Sequence, residues 1–208
     1  MPRPVLAPQQ LERFRQRLCA VALRRFSADG YQGVTLRALA RELGCSYATP
    51  YRYFRDKLEI FAAVRALAFE RFAAALEAGA AGETDPERRL RALGAAYLRF
   101  AGEESQAYRI MFQLDQPAGA YPEYAAKELR SWEILREAVA RAVEGGVFRG
   151  DPTTIAHVMW AGVHGLASLQ LAGKLVLGRD ADALTGAMLD ALFAAHRPAA
   201  DGRTRRRP

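Results

Sequence analysis

The chain holds only two cysteines, Cys19 and Cys45, in no C-x-x-C arrangement, which excludes a disulfide-built scaffold. Its N-terminus has no secretory pattern, so both thiols are expected to be reduced in a cytosol and the protein cytoplasmic. Long apolar runs are missing too. The most apolar stretch, 158–178, is broken by His164, Ser168, Gln170 and Lys174. A membrane span needs about twenty predominantly apolar residues, so the stretch reads as a buried helix and no membrane partner is expected. Strand-type alternation is nowhere sustained, and there is no internal repeat. None of G-x-S-x-G, G-x-x-x-x-G-K-[ST], H-E-x-x-H or G-x-G-x-x-G occurs. The only adjacent carboxylates, Glu103 and Glu104, point in different directions on a helix. His157 and His164 share a face with Trp160 but lie about 10 Å apart along a helix axis, too far to ligate one ion. An enzyme, a metal site and a cofactor are therefore not expected.

The 208 residues are 50% apolar and 25% charged, enough for one substantial core or two small ones. The charge is unevenly placed. Residues 1–57 carry 11 Lys and Arg against 4 Asp and Glu, 58–196 carry 14 against 18, and 197–208 carry 5 against 1. A basic module beside an acidic body is the electrostatic footprint of a nucleic-acid binder, although a charged solvated surface gives the same totals.

The remaining pattern is helical. From Gln9 to Asp29, Leu11, Phe14, Leu18, Ala22 and Phe26 recur every three to four residues, and Asp29-Gly30 closes the helix. Thr35 reads as the N-cap of a second, short helix through Leu36, Leu39, Ala40 and Leu43, stopping at Gly44. Ser46 reads as the N-cap of a third, Tyr47 to Phe54, with Pro50 at its fourth position, where the lost backbone bond is tolerable. Asp56 and Glu59 form a capping-box pair that opens a long helix through Leu58, Phe61, Phe69, Phe72 and Leu76, ending in the Gly79–Gly82 loop. Further helices are expected over Pro86–Gly102, Ser105–Leu114, Tyr124–Glu144, Pro152–Leu171 and Asp180–Ala195, with a loop at Pro117–Pro122. Asp151, followed by Pro152, stands at a cap position. The tail from Arg197 has no apolar face and is expected to be disordered.

The two short helices joined by Leu43-Gly44-Cys45-Ser46 form a helix-turn-helix signature: a Gly for the strained position, then a small polar cap. The second helix of such a pair presents its N-terminal residues to the major groove. Here it carries Tyr47, Thr49, Tyr51, Arg52 and Tyr53 and no carboxylate, which suits an anionic partner.

These residues resemble the TetR family of bacterial transcriptional regulators. The resemblance runs from Phe26 and Tyr31 through the Thr35–Ser46 stretch to Thr49-Pro50-Tyr51-Arg52-Tyr53-Phe54 and Lys57. Pro50 departs from the family's usual Leu or Ile. Trp160-Ala161-Gly162-Val163-His164-Gly165 is similar to the Trp-x-x-x-His-Gly signature of one TetR C-terminal domain type. The resemblance implies phosphate contacts from Thr35, Thr49, Tyr51, Tyr53 and Lys57, and base-edge contacts from Arg37, Tyr47, Ala48 and Thr49. Packing between helices is the alternative for Tyr51 and Tyr53, and Phe54 reads as core. It also implies a homodimer through the last two helices, with Ala156, Met159, Trp160, Val163, Ala167, Leu184, Met188 and Leu192 offering apolar faces.

The implied effector is a small hydrophobic molecule, with the helix Leu58–Leu76 as lever. Its candidate lining is Phe72, Tyr97, Phe100, Tyr108, Met111, Phe112, Trp132, Met159, Trp160 and His164, each of which reads equally as plain core. His164 either makes a core hydrogen bond or meets the ligand. The expected class is all-α, with a three-helix DNA-binding domain over 1–57, a helical effector-binding and dimerisation domain over 58–196, and a basic tail over 197–208. The expected function is a ligand-responsive repressor that binds a palindromic double-stranded DNA operator as a homodimer. The alternative is a constitutive DNA-binding regulator controlled by partner proteins. The run Arg203-Thr204-Arg205-Arg206-Arg207 either adds phosphate attraction or is a solvated end.

Overall fold

A computed structural model describes residues 8–112 and 121–198, and every regular element among the described residues is helical. The helices are α1 (Pro8–Gly33), α2 (Leu36–Glu42), α3 (Lys57–Gly79), α4 (Pro86–Glu103), α5 (Ser105–Phe112), α6 (Ala125–Glu144), α7 (Pro152–Leu171) and α8 (Ala181–His196), with short 3-10 turns at Pro50–Arg52 and Pro122–Tyr124. The chain divides into two compact units: residues up to 74 with 100–131, and 75–99 with those from 132 on. Helices α3, α4 and α6 thus each contribute to both units.

The caps explain where the helices begin. Thr35 Oγ1 accepts from Ala38 N at 3.1 Å, Asp151 Oδ2 from Thr154 N at 2.7 Å, and Asp180 Oδ1 from Ala183 N at 2.8 Å. Each satisfies an amide with no partner inside its own helix, worth about 1 kcal/mol. The α1 helix is interrupted at Gly30, whose φ of 68° and ψ of 173° are non-helical, so it breaks at the Asp29-Gly30 expected to close it, with helical residues resuming to Gly33.

In the first unit one core joins α1, α2, the 43–56 segment, α3 and α5. It contains Leu18, Val21, Ala22 and Phe26, then Val34, Leu39, Leu43 and Phe54, then Ile60, Phe61 and Val64, and lastly Ile110. Phe26 meets Phe61 edge-on with centroids 5.0 Å apart. Arg24 and Arg25 both donate to the Glu42 carboxylate, at 3.1 and 2.6 Å, and fasten α1 to α2. Leu11, expected on the apolar seam of the first helix, is exposed instead, and Leu129 on α6 is exposed too.

In the second unit α7 packs on α8. Small residues set the approach: the Gly162 position faces the Met188 sulfur and Leu192, and that of Gly94 faces Leu189 and Val163. Phe148 and Phe193 are fully buried with centroids 5.2 Å apart. The expected disorder from Arg197 is corrected at its start. Arg197 forks onto Glu87 at 2.8 and 2.9 Å, and His196 O accepts from Arg149 N at 2.7 Å. Residues 199–208, with the basic run, lie outside the described residues, as do Leu114 and most of the Pro117–Pro122 loop.

Gly44 and Gly102 make a test pair. Gly44 needs a φ of 66°, whereas Gly102 sits near the end of α4 with nothing near its absent Cβ. Gly44→Ala is expected to lower the denaturation free energy by about 1–2 kcal/mol, and Gly102→Ala to raise it by about 0.4–1 kcal/mol, both read from urea unfolding midpoints.

Candidate nucleic-acid interface

The turn after α2 closes with two crossed bonds: Cys45 N donates to Ala40 O at 3.0 Å and Gly44 N to Arg41 O at 3.2 Å. This pairing, with Gly44 left-handed, satisfies the last carbonyls of α2 and reverses the chain tightly.

The segment that follows is not the α-helix expected over Tyr47–Phe54. It is a run of tight turns in which Thr49 N donates to Ser46 O, Arg52 N to Thr49 O and Tyr53 N to Pro50 O, at 2.9 to 3.0 Å. Pro50 is the cause. An α-helix here needs an N–H at residue 50 to donate to Ser46 O, and proline has none; the carbonyl takes the Thr49 amide instead, three residues along. Ser46 is correspondingly not a side-chain cap of an amide, since its hydroxyl pairs with the Thr49 hydroxyl at 2.8 Å. Pro50 and Phe54 are buried and fix the segment to the core, so Phe54 is core as expected.

The expected contact residues differ in freedom, and side-chain contacts join three of them, Arg37, Tyr47 and Tyr51. Thr35, Arg37, Tyr47, Ala48 and Tyr51 are exposed. Tyr47 and Tyr51 stand 49% and 45% exposed with their hydroxyls paired at 3.0 Å, a bond that holds the Tyr51 phenol above its usual pKa. The Arg37 guanidinium lies 5.4 Å from the Tyr47 ring centroid, so α2 and the turn segment share one Arg-Tyr-Tyr group. Thr49 is half-buried. Tyr53 is half-buried too, stacked on Phe14 at 4.3 Å. Lys57 donates to Tyr31 O at 2.9 Å and Val34 O at 3.1 Å, its ammonium 4.2 Å from the Tyr31 ring. It therefore caps the carbonyls that end α1, with one of its three N–H bonds beyond those two.

Several groups that hold this region were not anticipated. Arg15 donates to Tyr53 O at 2.7 Å while its guanidinium lies 4.3 Å from the Phe54 ring, gripping the turn segment twice. Asp56 caps α3 as expected, accepting from Glu59 N at 2.8 Å. The reciprocal arm is displaced by one residue: the buried Glu59 carboxylate accepts from Arg55 N at 2.6 Å rather than from the cap residue's own amide. Tyr121 donates to Asp56 Oδ2 at 2.7 Å, and the Arg55 guanidinium lies 4.5 Å from the Tyr121 ring. Burial pushes the Asp56 carboxyl up, but the Tyr121 hydroxyl, the Glu59 and Leu58 amides and Arg55 together hold it below its usual value. Bonding to that carboxylate raises the Tyr121 phenol to about 12.

Residues 18–64 match the family model for bacterial regulatory proteins of the tetR family, and 90–192 match that for the tetracyclin repressor-like C-terminal domain. The chain belongs to the TetR family. The C-terminal match does not single out the Trp-x-x-x-His-Gly type. A protein of unknown function from Rhodococcus sp. RHA1 is 31% identical with a TM-score of 0.79, over 88% of this chain and 95% of that one. The TetR family transcriptional regulator PfmR from Thermus thermophilus is 26% identical with a TM-score of 0.65, over 86% and 97%. The HTH-type transcriptional activator FasR of Mycolicibacterium smegmatis is 29% identical over 125 residues, 60% of this chain and 56% of that protein. As a TetR-family chain, this protein is a DNA-binding transcriptional regulator and not an enzyme. Among the described residues, no helix is long and apolar enough to cross a membrane.

The candidate effector residues of the TetR body fall into two groups. In the first unit Phe72 lies 5.1 Å from Phe100 and 6.3 Å from Phe112, Tyr108 lies 5.0 Å from Phe112, and Met111 is buried beside them in sequence. In the second, Trp132 lies 6.2 Å from Trp160, whose ring is 6.0 Å from His164. Tyr97 pairs its hydroxyl with His164 Nδ1 at 2.9 Å, Met159 is buried, and burial holds His164 below its usual pKa. His164 thus has the hydrogen bond that one of its two readings required.

Loss of the Tyr121 hydroxyl tests the tie to Asp56. Because the folded Asp56 pKa is depressed, its contribution is complete above the ordinary value of 3.8 and vanishes as the pH falls through the lower folded value. Tyr121→Phe is expected to lower the melting temperature slightly at neutral pH, since Asp56 is largely solvated. The gap from the unmodified protein should close in acid. A constant gap across the pH series contradicts the tie.

Proposed function

We propose that this TetR-family regulator is a ligand-responsive repressor that binds a palindromic operator as a homodimer and is released by a small hydrophobic effector. The observation that carries the DNA half is the exposed Arg37-Tyr47-Tyr51 group. It presents a guanidinium and two phenols from two elements fixed by one core. Arg37 supplies the bidentate donor pair that guanine accepts, worth about 1–3 kcal/mol of discrimination. Thr35, Thr49 and Lys57 flank it as phosphate partners, and Ala48, Tyr51 and Tyr53 complete the surface. The division into a DNA-binding part over 1–57, a regulatory part over 58–196 and a basic tail belongs to the same reading, as does a cytoplasmic site of action.

Support for the dimer comes from what α7 and α8 leave uncovered, with one correction. Ala156, Met159, Val163 and Ala167 are buried within the protomer and offer no face to a partner. The exposed apolar surface is Val158, Trp160, Ala161 and Leu169 on α7, with Ala183, Ala187, Ala191 and Ala194 in a row on α8. Leu184, Met188 and Leu192 lie half-buried beside that row. Such small side chains allow close approach of a second helix pair, and a two-fold dimer matches a two-fold operator.

Support for the effector is the aromatic content of both units. The relative FasR is named an activator, so the sign of regulation is what a reporter assay must read.

Selection of bound sequences from a random duplex pool at near-physiological salt tests the reading. A palindrome of two half-sites is expected. Arg37→Ala should weaken discrimination at one base pair per half-site by about 1–3 kcal/mol, while Lys57→Ala should weaken binding evenly across sequences. Enrichment without a palindrome, or an unchanged profile for Arg37→Ala, contradicts it.

A further inference from the structure

Arg65 lies on α3 one turn before Phe69, on the face that carries Phe69 and Phe72. Its Nη1 pairs with one oxygen of Glu128, from the first turn of α6, and its guanidinium lies 5.1 Å from the Phe69 ring centroid. Its Nε is buried and, among the described residues, has no hydrogen-bond partner; no other described buried side-chain nitrogen or oxygen is left so. An unpaired buried N–H carries the full desolvation cost of that group. The fork geometry of guanidinium allows two parallel bonds to one carboxylate, and Glu128 meets it at a single nitrogen.

The Phe69 ring beside that guanidinium opens an aromatic row. Phe69 and Phe112 lie 5.6 Å apart, and Phe72, Phe100 and Tyr108 continue the aromatic row within the first unit. The charged group that faces Arg65 is Glu128; the Lys127–Glu70 pair, at 2.8 Å, links the same two helices and neutralises itself. Burial lowers the Arg65 pKa and Glu128 raises it, with burial the larger effect. Arg65 is thus an under-partnered cation at the end of an aromatic row.

We propose that Arg65 is the anion-recognition group for an effector that carries one carboxylate on an apolar body, with Nε as a donor to that carboxylate and the aromatic row receiving the body. The proposal rests on the ligand-responsive reading and gives that effector its chemical class. The rings touch one another, so the body enters by parting α5 from α3. Glu128 repels the incoming carboxylate and sets the threshold for binding.

The test uses the full-length protein with dodecanoate and dodecan-1-ol, which share a chain and differ in the head group. Calorimetric titration and release of the selected operator duplex are the readouts. Dodecanoate is expected to bind roughly tenfold or more tightly than the alcohol. Arg65→Gln should abolish that preference while leaving alcohol binding in place, and Glu128→Gln should strengthen dodecanoate binding about tenfold. Should Arg65→Gln fail to fold, Glu128→Gln decides alone, and an unchanged preference there overturns the proposal. Equal binding of acid and alcohol, with operator release by both, overturns the Arg65 assignment and leaves the ligand-responsive reading standing. No binding and no release by either compound overturns both.

Discussion

The interface depends on one constraint: the 46–54 segment cannot hold its own shape. Its bonds are mostly short-range turns, and a buried proline sits where an α-helix needs a donor. Isolated turns of this kind gain too little per bond to offset the backbone entropy they remove. Their geometry is imposed from outside, by Phe54 and Pro50 in the core and by Arg15 gripping the Tyr53 carbonyl and the Phe54 ring. The candidate DNA-facing edge therefore takes its position from the core beneath it. That core already includes Ile110 of α5, from well beyond the DNA-binding segment in sequence.

The start of α3 gathers the other ties. Asp56 caps the helix and receives Tyr121, Glu59 reaches back to Arg55, and Lys57 holds the carbonyls at the end of α1. The short stretch 56–59 thus connects α1, the turn segment, the approach to α6 and α3 itself. Individually such surface contacts contribute little. Together they leave the first turn of α3 few ways to move without moving the turn segment, which is the property a lever helix requires.

Much of this was legible in the sequence because the signals are local. Thr35, Asp56 and Asp151 cap because a short acceptor precedes a helical period, and Gly30 and Gly44 break helices because glycine accepts a positive φ without strain. Pro50 was visible, yet its consequence was not. Whether a missing N–H merely dents a helix or dissolves it depends on whether the orphaned Ser46 carbonyl finds another donor, and Thr49 supplied one. The contacts of Arg15, Arg65 and Tyr121 were hidden for a different reason: their partners lie 38, 63 and 65 residues away. Helical periodicity says which face a residue occupies, not which helix faces it. The candidate effector aromatics show the same limit, since a single apolar pattern separated into two groups belonging to different units.

The absent amide at Pro50 also has a kinetic side. Flanking helices protect their backbone hydrogens through continuous ladders, whereas residues 47–53 have only isolated bonds at an exposed edge, the kind of region that opens at low free-energy cost. Local opening there breaks none of the backbone bonds within α2 or α3. The backbone of this candidate edge is consequently softer than the helices that flank it. On the operator-binding reading proposed above, such an edge accommodates imperfect half-sites by small backbone adjustments, and it trades sharp rejection of near-matches for a broader set of usable operators.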